Sequence, residues 1–218
     1  IKRYYEPFLG GGAVFFWVMQ NCKIEKAYIN EFNPEIYLCY VAIQNNVEKV
    51  IKRLKALEKK YYALDPIKQE TFYYQIRDKY NQTMCGINFK KFEVNKQLKR
   101  ATKTIFLNRT CFNGLYRVNS KGDFNVPFGR YKNPTICDSN NLRAVNRVLK
   151  GVKITNRDFS VIQKHIKNDS FVYFDPPYRP LNKTSNFTSY SNNEFNDEGQ
   201  KRLYNIFRKL DQIDGVKI

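Results

Sequence analysis

Histidine and paired cysteines are nearly absent from this sequence. Its 218 residues include one histidine, His165, and five cysteines, none of which forms a C-x-x-C pair. A single histidine argues against a zinc site or a Ser–His–Asp triad, so we predict no metal. An odd number of scattered cysteines is typical of reduced thiols in a cytoplasmic protein.

Long apolar runs are missing as well. The apolar stretch AVFFWVM, at 13–19, is far shorter than the roughly 20 residues that cross a bilayer. The first residue, Ile1, already lies in a strand-like stretch, and the final GVKI reads as part of another strand. We therefore expect the protein to continue beyond both ends of this sequence.

Acidic residues are scarce compared with basic ones. The sequence has 38 Lys and Arg against 20 Asp and Glu, which gives a formal net charge of +18. Such an excess favours a polyanionic partner, with nucleic acid as the first candidate and a membrane surface as the second. The hydrophobic content of 42% is that of a globular protein, and the length suits one α/β domain with or without an insertion.

Strands and helices alternate in the first part of the sequence and again after about residue 150. KRYYEPF, KAYIN, VKIT and SFVYF read as strands, and AVFFWVMQ reads as a helix that is apolar all round and therefore buried. Asn33 is a good N-cap for the next helix, with Pro34 at its first position. Asp197 begins a capping-box pattern for a late helix. This alternation predicts a largely parallel sheet.

The middle of the sequence has a different character, beginning at about Val47. Apolar stripes alternate with many lysines, which predicts basic amphipathic helices, although charge on a helix is usually just its solvated face. Further on, LYRVN and FNVPF flank the turn SKGD and predict a β-hairpin, with Pro127 restricting the second strand to an edge. We therefore expect a basic, mainly helical insertion that divides the α/β domain.

A glycine loop follows the first predicted strand. The pattern F-x-G-x-G, Phe8 to Gly12, lets the backbone approach a ligand and turn sharply into a helix. It matches neither a P-loop nor the full G-x-G-x-x-G spacing. Glu31 follows the next strand, where a carboxylate can accept hydrogen bonds from ribose hydroxyls. The pair predicts a cofactor with an adenosine group and no pyrophosphate, although such a loop alone is often only a tight turn.

The segment FVYFDPPYRP ends a predicted strand with a carboxylate, two prolines and an aromatic ring. Pro176 and Pro177 have no N–H and fix their own φ, so the loop is stiff and rich in acceptors. Asp175 and the Pro176 carbonyl could accept the two hydrogens of a planar amino group, while the Tyr178 ring could stack on the heterocycle. A simple exit turn explains the prolines but not the acid and the ring together.

These residues resemble a known family. F-x-G-x-G followed by D-P-P-Y is similar to the signature motifs of S-adenosylmethionine-dependent amino methyltransferases, and TCFNGLYRVNSKGDFNVPFGRYKNP resembles the Dam-type DNA adenine-N6 methyltransferases of the D12 class. The resemblance implies a Rossmann-like methyltransferase sheet with an inserted, mainly helical DNA-recognition domain that carries a β-hairpin. It places a catalytic domain at 1–48 and 138–218 and a target-recognition domain at 49–137.

The resemblance also implies roles for individual residues. The residues assigned to catalysis are Asp175, Pro176 and Tyr178. Their substrate is an adenine that is flipped out of double-stranded DNA within GATC. The residues that the resemblance assigns to binding of S-adenosylmethionine are Phe8, Gly10, Gly12, Glu31, Asp158, Phe159 and Asp175. Contacts to DNA fall to Arg109, Phe112, Asn113, Leu115, Arg117, Arg130, Tyr131 and Lys132, with Arg117 reading a guanine. We expect a monomeric bacterial or phage enzyme, with a cognate restriction endonuclease as a partner in a restriction–modification system.

Two other functions fit parts of the sequence. D-P-P-Y-like loops also serve RNA base methyltransferases, although the hairpin resemblance speaks against RNA. A truncated, non-catalytic DNA-binding relative is the other alternative, and the intact Asp175 and glycine loop speak against it. Binding of S-adenosylmethionine and a comparison of duplex DNA with structured RNA as substrates separate the three.

Overall fold

The computed structural model describes residues 1–83, 94–177 and 195–218, and these contain alternating strands and helices. The strands are β1 (Arg3–Glu6), β2 (Lys26–Asn30), β3 (Lys153–Thr155), β4 (Ser170–Val172) and β5 (Val216–Lys217). The helices are α1 (Ala13–Asn21), α2 (Pro34–Tyr62), α3 (Pro66–Gln82), α4 (Val94–Thr110), α5 (Ser139–Leu149) and α6 (Asp197–Asp211). Two short 3-10 helices cover Phe112–Gly114 and Phe159–Lys164.

The five strands form one parallel sheet in the order β3-β2-β1-β4-β5. Its central strand β1 is buried on both faces, and Tyr4 and Tyr5 are completely buried. Burial of both faces is the usual condition of a parallel sheet, because its crossover helices cover each side. The predicted α/β class is therefore confirmed, and the sheet is consistent with a Rossmann-like methyltransferase fold.

The chain divides into two compact units. Among the described residues, the first unit holds 1–37, 148–177 and 195–218, and the second holds 38–83 and 94–147. A cluster that includes Tyr5, Phe159, Val172, Ile206 and Leu210 forms a core in the first unit. The functional division at residues 48 and 138 concerns what each part does, and it stays a prediction.

The second unit is rich in buried aromatic side chains. Tyr61, Tyr73, Tyr80 and Phe106 are almost completely buried, and the Tyr61 and Phe106 rings meet edge to face at 6.1 Å. The Tyr73 hydroxyl donates a hydrogen bond to the Val126 carbonyl at 2.8 Å. An aromatic pair of this geometry contributes about 1 kcal/mol beyond the burial of its area, so it stabilises the packing of α2 on α4, while the Tyr73 hydrogen bond joins α3 to the loop that follows α4.

Helix α2 begins where the sequence predicts it. The Asn33 side chain accepts the backbone N–H of Glu35 at 2.9 Å, and Pro34 is the first helical residue. The helix bends at Asn46, whose φ of −145° and ψ of 38° are not helical. The bend lies one residue before Val47, where the sequence changes from an apolar to a basic amphipathic pattern.

Two details of the predicted helices are wrong. Helix α1 buries Phe15 and Val18, but Trp17 is 61% exposed, because a nine-residue helix packs through one face whatever its composition. The N-cap of α6 is Asn196 and not Asp197, since the Asn196 side chain accepts the Gly199 N–H at 3.0 Å. An asparagine and an aspartate side by side are equally good caps, and the sequence alone does not choose between them.

The predicted hairpin is antiparallel but irregular. Within 111–133 the only ladder contacts are isolated bridges, which join Val118 to Phe124 and Cys111 to Phe128. The Asn125 N–H donates to the Arg117 carbonyl at 3.1 Å on one side of the turn. The strands that the sequence predicts there are therefore not continuous, and the segment is better described as two extended stretches joined by a turn.

Membrane-crossing length is not found in the described helices. No helix within 1–83, 94–177 and 195–218 is both long and apolar enough to span a bilayer.

Candidate functional site

The glycine loop and the Asp175 segment lie at one edge of the sheet. Strands β1 and β4 are parallel neighbours, and the Tyr173 N–H donates to the Tyr5 carbonyl at 2.9 Å where they end. The chain runs from β1 outward to β2 and β3 on one side, whereas β4 and β5 extend the other side. A reversal of strand order of this kind opens a crevice at the carboxyl ends of the strands, and ligands of such sheets bind there.

Glu31 fastens the glycine loop to the end of β2. Its carboxylate accepts the Gly10 N–H on Oε2 and the Asn33 N–H on Oε1, each at 2.7 Å. Burial raises the pKa of Glu31, although these two hydrogen bonds act in the opposite direction. Gly10 and Gly12 have positive φ values of 51° and 72°, which an L side chain rarely adopts. The loop thus needs its glycines and is shaped by the buried acid.

Aromatic rings and an ion pair flank the same edge. The Phe8 ring lies 5.2 Å from that of Phe159 and 5.7 Å from that of Phe195. The Asp158 carboxylate accepts the Ser160 N–H at 3.0 Å and pairs with Arg202 at 2.5 Å. Burial acts to raise the pKa of Asp158, but the hydrogen bonds from Ser160 and Arg202 outweigh it and lower the pKa. Arg202 was not found from the sequence, because nothing in α6 marks it.

The Asp175 segment follows β4, and its acidic residue is exposed to solvent. Asp175 is exposed, Pro176 is half-buried, and the Phe174 ring packs 6.2 Å from that of Phe207. Two prolines follow the acid directly, so two consecutive residues of this loop have no N–H to donate. Tyr178, the third predicted catalytic residue, lies outside the described residues.

Glu6 is a buried acid beside Asp175 that sequence reasoning missed. Only 2% of its surface is exposed, and its Oε2 accepts the Tyr4 hydroxyl at 2.5 Å. Burial raises the pKa of Glu6 to about 7, the Tyr4 and Phe15 hydrogen bonds lower it, and the negative charge of Asp175 raises it. The available signal was its place at the end of β1, directly before Pro7 and the glycine loop.

Glu6 makes a testable contribution to the pH dependence of folding. Because its pKa is about 7 in the folded protein and its ordinary value is 4.5, the folded state holds a proton that the unfolded chain releases. The free energy of unfolding should therefore fall as the pH rises from about 4.5 to 7, by about 3 kcal/mol through this group. In Glu6→Gln, chemical denaturation at pH 5 and pH 8 should show a correspondingly smaller loss.

Glu25→Gln is the matched control, because Glu25 is exposed and the same charge is removed. It should keep the parental difference between pH 5 and pH 8. Equal pH dependence in Glu6→Gln and in the parent would contradict the assignment of a raised pKa to this group.

Exposed apolar side chains mark the predicted reading segment in the second unit. Phe112 is 50% exposed and Leu115 is 42% exposed, although both are apolar. Between them Asn113 takes a positive φ of 52°, and its N–H donates to the Tyr131 hydroxyl at 2.9 Å. An exposed aromatic ring on a tightly bonded turn is suited to contact with a partner surface.

Arg117 is held by one neighbouring residue, Asn125. Its Nε donates to the Asn125 Oδ1 at 2.8 Å, and its Nη2 lies 3.4 Å from the Asn125 carbonyl. Arg117 is half-buried, and its guanidinium is oriented by these two contacts, neither of which uses Nη1. Asn125 was not among the predicted residues, and only the bond to Arg117 identifies it.

The other predicted contact residues are mostly on the surface. Arg109 is exposed in the last turn of α4, and Lys132 is exposed as well. Arg130 has a positive φ of 53° and forms an exposed ion pair with Glu70 at 3.5 Å. An ion pair of this kind contributes little to stability, and Arg130 can exchange it for another anion.

Comparison with known proteins gives one family for the whole chain. The model of the D12 class N6 adenine-specific DNA methyltransferase matches residues 1–218. Type II methyltransferase M.MjaIII of Methanocaldococcus jannaschii is 48% identical over 212 residues, which cover 97% of this chain and 71% of that protein. Members of the class use S-adenosylmethionine to methylate DNA, so the family favours DNA over RNA as the substrate.

Other relatives agree with this match. Type II methyltransferase M1.LlaDCHI of Lactococcus lactis subsp. cremoris is 38% identical over 212 residues, covering 96% of this chain and 68% of that protein. The DNA adenine methylase of Haemophilus influenzae is 30% identical over 213 residues, covering 98% and 68%. The chain belongs to the D12 class of N6 adenine-specific DNA methyltransferases.

Proposed function

We propose that the protein methylates adenine N6 within GATC sites of duplex DNA, on a base that has been turned out of the helix. The observation that carries the methyl-transfer part of this proposal is that the glycine loop and the Asp175 segment follow the neighbouring parallel strands β1 and β4. The glycine loop suits a cofactor, and the Asp175 segment suits an amino group. Their common edge allows the two reactants to be held together.

The residues at the crevice fit S-adenosylmethionine. A Cβ at Gly10 or Gly11 would meet nothing within 4 Å, so there is open space for a ligand on that side of the loop. Each oxygen of Glu31 accepts one N–H, and a carboxylate has about four lone-pair sites, so capacity remains for ribose hydroxyls. We assign the adenosine group to Glu31, Phe8, Asp158 and Phe159. When bound, S-adenosylmethionine supplies the electrophilic methyl group.

Asp175 and Pro176 are assigned to the target amino group. The lone pair of adenine N6 is delocalised into the ring, which makes this atom a poor nucleophile. When the Asp175 carboxylate and the Pro176 carbonyl accept the two N6 hydrogens, they favour a more tetrahedral nitrogen. The loop offers acceptors and few donors, so it selects an amino group over a carbonyl oxygen at that position. We assign stacking on the extruded base to Tyr178.

The second unit is assigned to the duplex, in keeping with a target-recognition domain at 49–137. Arg117 reads a guanine through the free edge of its guanidinium, Leu115 contacts a thymine methyl group, and Phe112 with Asn113 fills the gap that the adenine leaves. Arg109, Arg130 and Lys132 bind phosphates. Support for GATC comes from the resemblance of the segment around Arg117 to Dam-type enzymes.

A role in restriction–modification is the biological setting that we favour. Two of the relatives are named Type II methyltransferases, and these include the 48% identical protein. We propose that this protein likewise acts beside a cognate restriction endonuclease, and that it works as a monomer.

Methyl transfer by the complete protein tests the proposal. Three substrates of the same length are compared: a duplex with one GATC site, a duplex in which the site is scrambled, and a structured RNA that contains GAUC. We expect labelled methyl groups, recovered as N6-methyladenine, in the first substrate at a rate at least about a hundredfold above the others. Equal rates on the two duplexes would exclude GATC, and a preference for RNA would overturn the proposal.

A further inference from the structure

The turn that carries Phe112 is held in place by hydrogen bonds rather than by burial. Residues 112–114 are all exposed, so little apolar packing fixes their conformation. The Phe112 N–H donates to the Pro127 carbonyl at 2.9 Å, and the Asn108 side-chain amide donates to the Gly114 carbonyl. The Asn113 N–H donates to the Tyr131 hydroxyl at 2.9 Å. Every residue of the turn is therefore tied to a different neighbouring position.

The bond to Tyr131 falls on the residue that most needs support. Asn113 has a φ of 52°, in the left-handed region that residues other than glycine seldom adopt. Asparagine tolerates this region better than most residues, but a conformation of this kind persists only when its surroundings fix it. Without the Tyr131 hydroxyl, the Asn113 N–H would be satisfied equally well by water in other conformations of the turn.

The backbone at Gly129 and Arg130 sets the position of the Tyr131 ring. A Cβ at Gly129 would come within 2.5 Å of Tyr131 Cε2 and within 2.6 Å of the Cys111 carbonyl oxygen, so only glycine fits beneath the ring. The Gly129 N–H donates to the Thr110 carbonyl at 2.9 Å, which fastens this part of the chain to the end of α4. Arg130, with a φ of 53°, then turns the chain so that Tyr131 reaches back to Asn113.

We propose that Tyr131 is a positioning residue that presets the turn 112–114, so that Phe112 can enter the duplex as the target adenine leaves it. The inference rests on the proposed function, in which Phe112 fills the gap. It differs from a phosphate contact at Tyr131, because the hydroxyl acts through its acceptor lone pair on Asn113. The hydroxyl hydrogen remains available to DNA, so the experiment has to separate the two roles.

The test compares Tyr131→Phe with the parent, both in the complete protein. Base extrusion is followed by fluorescence on a duplex with 2-aminopurine at the target position. Because 2-aminopurine has no 6-amino group to accept a methyl group, kcat is measured on the matching duplex with adenine. Loss of one hydrogen bond should reduce the fluorescence that reports base extrusion, and with it kcat at saturating DNA, by about fivefold. The dissociation constant for DNA and its dependence on salt should stay at the parental values. Tyr204→Phe, which removes the hydroxyl of another exposed tyrosine, should change neither quantity.

Phe112→Ala separates failure of this inference from failure of the proposed function. If the inference holds, Phe112→Ala lowers extrusion by itself, and adding Tyr131→Phe lowers it little further, since the two act as a unit. Full extrusion by Tyr131→Phe beside impaired Phe112→Ala would overturn the inference alone. A salt slope reduced by about one with unchanged kcat would make Tyr131 a phosphate contact instead. Unimpaired extrusion in Phe112→Ala would remove both Phe112's role and this inference.

Discussion

Asp175→Ala is expected to slow methyl transfer strongly and to leave binding of S-adenosylmethionine in place. We expect the single-turnover rate to fall by about a thousandfold, which is the size of effect seen when one preorganised polar group is removed from a reacting centre. Asp175 follows β4 and is followed by two prolines, whose side chains carry no acceptor that could replace its carboxylate. Calorimetry measures the cofactor, and transfer of a labelled methyl group to duplex DNA measures the chemistry.

Asp175→Asn tests the same prediction with a smaller chemical change. Its amide oxygen can still accept one hydrogen bond, but the negative charge is lost and an N–H group is introduced, so we expect an intermediate rate. Asp211→Ala removes an exposed acid at the end of α6 and should transfer methyl groups like the parent. If Asp175→Ala were to methylate DNA at the parental rate, Asp175 would have no part in the chemistry.

Arg117→Ala relaxes recognition of one base pair and leaves the others unchanged. A bidentate arginine–guanine contact discriminates by about 1–3 kcal/mol, so the ratio of kcat/KM between the cognate duplex and a duplex changed at that guanine should fall roughly tenfold or more. The orientation of the guanidinium by Asn125 is the structural reason for this expectation. The measurement is kcat/KM on a set of duplexes in which each position of the site is changed singly.

Lys132→Ala is the contrasting variant, because Lys132 is assigned to a phosphate and Arg117 to a base. Lys132 is exposed and is assigned to a phosphate, so its loss should weaken binding to every duplex alike and reduce the salt slope by about one. A uniform loss in Arg117→Ala, with no position singled out, would show that Arg117 also binds only the backbone of the DNA.

Features that depend on neighbouring residues in the sequence were predictable. The start of α2 followed from Asn33 and Pro34, because an N-cap and the first helical residue interact over a few positions. The glycine loop and the Asp175 segment were also identified correctly as the ends of two strands. Strand endings with Gly, Pro and Asp have local causes, and these causes can be read directly from the sequence.

Features that depend on residues distant in the sequence were not predictable. Glu6 looked like part of a strand, and its raised pKa arises mainly from burial in the folded sheet, with a smaller contribution from Asp175, which β4 brings beside β1. Arg202 became part of the site only through Asp158, which lies on a different element. The exposure of Trp17 was missed for a similar reason, because the composition of a helix does not say which of its faces finds a partner.

The strand order has a consequence for how enzymes with this sheet can change their targets. The chain leaves the sheet at Asn30 and returns at Lys153, and this long excursion contains the whole segment assigned to reading DNA. The entropy of closing such an excursion grows only with the logarithm of its length, and doubling the length costs about 0.6 kcal/mol. Insertions of very different size and sequence are therefore compatible with the same pairing of β1 and β4, so new target specificities can evolve without rebuilding the chemistry.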